Sequence, residues 1–128
     1  MQLVAIVTVV ALVQYFVLGL RVGQARTKFG IEAPAIGGHP IFERHFRVHQ
    51  NTMEQLVLFL PALWLFATYV SAPVAAALGV VFIIGRFVYA SLYVAEPKRR
   101  GPGVAVSALA TILLLLGGLI GAVVQLLR

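Results

Sequence analysis

Glu43-Arg44-His45-Phe46-Arg47-Val48-His49-Gln50-Asn51-Thr52-Met53-Glu54 runs straight into Leu56–Val70, which is almost wholly apolar. Arg47, Asn51 and Glu54 are spaced i, i+4 and i+7, so the spacing predicts that they line one face of a helix. A cation, an amide and an anion on one stripe oppose entry into lipid. Such groups usually face a protein interior or a wet cavity, and by default they mark function. The stretch therefore reads as the polar entrance of a membrane helix.

The rest of the chain agrees. Of its 128 residues, 61% are hydrophobic and 11% charged, with a mean hydropathy of +0.99. A water-soluble domain carries about 25% charged residues. The expectation is a single domain over residues 1–128, an all-α integral membrane four-helix bundle. Its spans fall at about 3–22, 45–70, 73–95 and 103–127, near the ~20 residues that cross a bilayer core. Ser71-Ala72-Pro73 reads as a tight turn and Glu96–Gly103 as a second short connection, which leaves Arg21–Phe42 as the one long loop. Pro61 removes a backbone donor inside the second span, so a bend is expected there. Gly19/Gly23 and Gly117/Gly121 match the small-xxx-small spacing that lets helices approach closely, here read as packing within the bundle.

With no cysteine, the chain has no disulfide framework, thiolate metal site or cysteine nucleophile. The net charge of +6 sits at membrane edges, which favours lipid headgroups or an anionic small ligand over nucleic acid. Arg21, Arg26, Lys28, Arg44, Arg47, Lys98, Arg99 and Arg100, eight of the ten Lys and Arg residues, fall in two loops on one side. The positive-inside rule then predicts cytoplasmic charged loops and non-cytoplasmic termini. Positive charge follows the first apolar run and does not precede it, unlike a cleaved signal peptide.

A second polar cluster lies on the third span. Arg86, Tyr89 and Tyr93 are spaced i, i+3, i+7, with Glu96 close by, and Arg26 and Arg100 from the loops are placed to close over the same depth. An arginine at a helix centre costs about 2.5–3.5 kcal/mol on insertion scales, so Glu54 and Arg86 each need a partner. One reading has Arg47, Glu54 and Arg86 neutralise one another and lock the bundle. The other starts from the imbalance of several arginines and phenols against one carboxylate. That set suits an anion bearing one amine, and glutathione fits: carboxylates to arginines, ammonium to Glu54. His45 and His49 are four apart but lie opposite the Arg47 stripe and lack a metal-binding arrangement, so packing or hydration is expected and no metal. His39, in a Gly-Gly-His-Pro loop, suggests no special role.

Phe42-Glu43-Arg44 with Arg47-x-His49-x-Asn51-x-x-Glu54, then Gly85-Arg86-x-x-Tyr89-x-x-x-Tyr93, resembles the MAPEG superfamily, the membrane-associated proteins of eicosanoid and glutathione metabolism. The resemblance covers most of the chain and is most like a bacterial-type microsomal glutathione transferase. It implies a homotrimer holding glutathione between neighbouring subunits near the cytosolic face. It also implies that Arg26, Arg47, Asn51, Glu54, Tyr89, Tyr93 and Arg100 hold glutathione, and that Arg86 and His49 are structural residues or parts of the site. The family's second arginine after the first-helix arginine is replaced by Thr27, and its tyrosine after the glutamate by Gln55. The thiol activator is thereby unassigned, with Arg26, Lys28 and Arg100 as candidates.

The implied activity is a glutathione transferase or peroxidase: thiolate attack on a lipophilic electrophile or hydroperoxide dissolved in membrane lipid, with glutathione as co-substrate. A non-catalytic lipid-binding or scaffold protein of the same fold is the alternative that Thr27 and Gln55 leave open. A small four-helix multidrug exporter ranks below both, because such proteins carry a carboxylate in the first span and Leu3–Leu20 has none.

Overall fold

The computed structural model describes residues 1–128 and is all-helical. Helix α1 covers Gln2–Phe29, α2 Pro40–Tyr69, α3 Ala72–Ala95 and α4 Gly101–Leu126, with a short 3₁₀ turn at Pro97–Arg100. All four helices are long and apolar enough to cross a membrane. Only 29 of the 128 residues are buried, while Phe16, Val57, Phe87 and Ile120 are each more than 60% exposed. Water would not tolerate so much outward-facing hydrocarbon; lipid would.

The helix ends follow from local chemistry. Gly30 adopts φ 67, which a left-handed cap requires, and stops α1. His39 caps α2: its Nδ1 accepts from the Ile41 N–H at 3.1 Å, and Pro40 follows in the first turn. Its ring also stacks on Phe29 at 3.7 Å, so His39 has a structural role that the loop composition did not suggest. Ser71 caps α3 through Val74 N–H, with Pro73 in the first turn.

The connection expected over Arg21–Phe42 is much shorter. Helix α1 continues to Phe29 and α2 begins at Pro40. Charge at a membrane edge ends a span without ending a helix, and Arg21–Phe29 carries good helix formers. Helix α2 likewise stays helical through Pro61.

The core is a cluster of buried residues from all four helices, including Val4, Val7, Phe59, Leu63, Phe82 and Leu114. Phe59 and Phe82 stack at 3.8 Å across α2 and α3. Two polar residues within the apolar part of α1 make helix contacts: Gln14 donates to the Ile83 carbonyl at 3.0 Å, and Thr8 accepts from Trp64 Nε1 at 3.0 Å. Gly117 lies against the Phe66 ring, and Gly121 against the Tyr69 carbonyl, so this glycine pair packs α4 on α2 within one chain.

Candidate functional site

Four elements converge at the end of the bundle where α3 passes into α4. A cavity of about 390 Å³ is lined by Arg47 and Asn51 of α2, Tyr89 and Tyr93 of α3, Arg100 of the 3₁₀ turn and Val104 of α4. Five of the residues expected to hold a ligand therefore line one space. Small-ligand sites span roughly 300–1,000 Å³, so the volume suits a small molecule. Arg47 and Arg100 are exposed and no carboxylate lines the cavity. Two guanidinium groups without an acidic neighbour give it the chemistry to take an anion.

Arg86 sits behind this wall and is 1% exposed. Its Nη2 donates to Asn51 Oδ1 at 2.7 Å and to Thr52 Oγ1 at 2.8 Å, and its guanidinium lies 4.3 Å from the Tyr89 ring centroid. The reading in which Arg47, Glu54 and Arg86 neutralise one another gives Arg86 a carboxylate partner; the structure supplies two neutral oxygens and a phenol face. Since a guanidinium can only donate, it fixes the Asn51 oxygen inward and leaves the amide NH₂ as the outward donor. Thr52 was missed in the sequence because a lone threonine on a helix carries no signal until the facing helix is known.

Tyr89 and Tyr93 are neighbours, with ring centroids 5.5 Å apart. The position of Tyr89 depends on Gly103. A Cβ on Gly103 would collide with the Tyr89 backbone, so the glycine lets α4 rest directly on α3 behind the phenol. Arg44 joins α2 to the far end of α3, donating from Nη1 to the carbonyls of Val94 at 3.1 Å and Ala95 at 3.4 Å. A cation on the last carbonyls of a helix satisfies orphan acceptors and complements the dipole.

The remaining expected site residues stand apart in the single chain. Glu54 lies on the Arg47 face of α2 but is exposed and outside the cavity lining, so Arg47, Glu54 and Arg86 do not form a closed charge cluster. Arg26 donates to the Ala35 carbonyl at 2.6 Å and stacks over Phe42 at 4.8 Å. Lys28 lines a separate cavity between α1 and α2. His49 stacks on Tyr15 at 4.4 Å and meets Gly19, which makes it a packing residue between α1 and α2.

Residues 4–120 match the MAPEG family. An uncharacterized protein of Synechocystis sp. is 43% identical over 122 residues, covering 95% of this chain and 89% of its own length. Microsomal glutathione S-transferase 2 of Homo sapiens is 37% identical over 118 residues, 91% of this chain and 80% of that protein. Leukotriene C4 synthase of Mus musculus is 32% identical over 123 residues, 96% of this chain and 82% of that protein.

Proposed function

The chain belongs to the MAPEG family of integral membrane proteins, and from that membership we propose that it is a membrane glutathione transferase acting on lipophilic electrophiles or hydroperoxides. The observation that carries this reading is the cavity bounded by Arg47, Asn51, Tyr89, Tyr93 and Arg100, cationic and without a carboxylate. The two arginines suit the carboxylates of glutathione, and the Asn51 NH₂ suits one of its acceptor oxygens.

A free thiol with a pKa near 8.5 is only a few per cent ionised at neutral pH. A neighbouring guanidinium favours the anion, and a shift of about two units is worth roughly 2.7 kcal/mol. Arg100 is the candidate that lines the cavity; Arg26 and Lys28 do not line it in the single chain. With an aryl halide, the thiolate sulfur bonds the ring carbon and halide leaves. With a hydroperoxide, the sulfur takes the distal oxygen and the alkoxide takes a proton. The resulting sulfenic acid then condenses with a second glutathione to disulfide and water.

Glu54 and Arg26 lie outside the cavity lining of one chain, which suits a homotrimer in which a neighbouring subunit completes the site. On this reading the cavity faces the cytoplasm, where glutathione is abundant, and both termini face away. The deciding experiment is glutathione titration of purified protein, followed by conjugation of a simple aryl halide. Binding with thiolate formation and turnover supports the reading; no binding removes it. Thr27 and Gln55 leave open a second reading, a lipid-binding scaffold, whose signature is lipid retention with no thiolate absorbance.

A further inference from the structure

A second basic cavity, of about 280 Å³, lies between α1 and α2, apart from the one lined by Arg47 and Arg100. Arg21, Gln24 and Lys28 form one wall, spaced three and four apart on a single face of α1. His45 of α2 stands opposite, with Phe29 and Ile41 supplying apolar floor. Arg21 and Lys28 are exposed, and Lys28 Nζ is held 5.4 Å from the Phe29 ring centroid. No carboxylate lines this cavity. Two cations, an imidazole and an amide around one small space call for an anion with several acceptor oxygens.

What lies beside the cavity along α1 selects the kind of anion. Gln24 continues toward the membrane interior as Leu20, Val17, Val13 and Val10, again at steps of three and four, and these side chains are between 40 and 54% exposed. The basic wall begins where the apolar run Leu3–Leu20 ends, which is headgroup depth for a spanning helix. A soluble phosphate has no use for that apolar track; an acyl chain does. We propose that this cavity binds the phosphate of an anionic glycerophospholipid, with the lipid tail lying along the Val10–Leu20 face of α1.

The test is native mass spectrometry of the full chain, reconstituted in phosphatidylcholine doped with phosphatidylglycerol and then extracted into detergent. Wild type should retain phosphatidylglycerol in preference to phosphatidylcholine. Each basic residue near an anionic surface is worth about fivefold, so the double variant Arg21→Gln/Lys28→Gln should lose roughly thirtyfold in that preference. A second double variant, Lys98→Gln/Arg99→Gln, removes exposed charge elsewhere and should retain the lipid as wild type does. Equal retention by wild type and the Arg21/Lys28 variant, or loss in the Lys98/Arg99 variant alone, overturns the proposal. Glycerol phosphate added as competitor separates the sources: displacement of the lipid by it at modest excess shows a site for soluble phosphate and overturns the assignment to lipid.

Discussion

Arg86 Nη2 lies 2.7 Å from Asn51 Oδ1, so a fully buried cation on α3 sets which end of an amide on α2 faces the candidate ligand cavity. A guanidinium has no acceptor, and the amide cannot turn over without placing donor against donor. Replacing Arg86 by Met should leave the buried Thr52 oxygen without its donor and cost about 1–3 kcal/mol of stability. Glutathione affinity should fall as well, because the amide is free to flip. Arg86→Lys should recover part of the affinity, since an ammonium donates to the same oxygens. Thermal melts and calorimetric titration of both variants check this; an unchanged affinity in Arg86→Met would remove the orienting role.

Arg47→Ala and Asn51→Ala should each weaken glutathione binding. A hydrogen bond to a charged group is worth about 1.5–3 kcal/mol, so the dissociation constant should rise about ten- to a hundredfold. Glu54→Ala should also weaken binding if the carboxylate meets the ligand ammonium. Both arginine and glutamate variants lie on exposed positions, so their melting temperatures should stay near that of wild type. Titration and melting on the same preparations separate binding from folding.

Arg100→Gln should move the pH–rate profile to higher pH. A cation beside the sulfur stabilises the charged, deprotonated form and lowers the thiol pKa, so its removal raises that pKa. Activity would then be lost most at neutral pH and regained as pH rises. A pH–rate comparison with ultraviolet thiolate absorbance reads the shift; identical profiles would pass the activating role to Arg26 or Lys28.

Gly103→Ala should disturb the site without touching its polar groups. A methyl placed against the Tyr89 backbone forces α3 and α4 apart, and overpacking of this kind costs about 1–3 kcal/mol. The melting temperature and glutathione affinity should drop together, whereas Gly23→Ala, inside α1 with nothing within 4 Å, should leave the affinity unchanged and hold or slightly raise the melting temperature.

Co-expression of Arg26→Ala and Arg47→Ala chains tests the trimer. If neighbouring subunits share each site, mixed trimers contain some sites with both arginines intact and should keep part of the activity. Complete inactivity of the mixture, with wild-type yield, would argue that each chain holds its own site.

The four helices were legible because long apolar runs have few alternative structures in lipid, and the Arg47/Asn51 and Tyr89/Tyr93 spacings survive as faces of single helices. What lies between helices was not. That Arg86 would choose Asn51 and Thr52, and not Glu54, depends on the rotation of α3 against α2, which no spacing within one helix encodes. The length of α1 was hidden for another reason: Arg21–Phe29 is charged enough to leave lipid yet helical enough to continue. His39 looked like loop because its capping role appears only with the Ile41 N–H beside it.

Arg44, reaching from α2 to the carbonyls of Val94 and Ala95, clasps the two helices that carry most of the cavity. With the Gly103 contact holding α4 against α3 on the other side, the walls are fastened at both flanks before anything enters. A ligand then meets one wall already braced and spends little of its affinity on ordering that part of the site. On the proposed function, selectivity should be strict for the part of the peptide that meets this wall, because a braced frame cannot reshape itself around a shorter or longer guest.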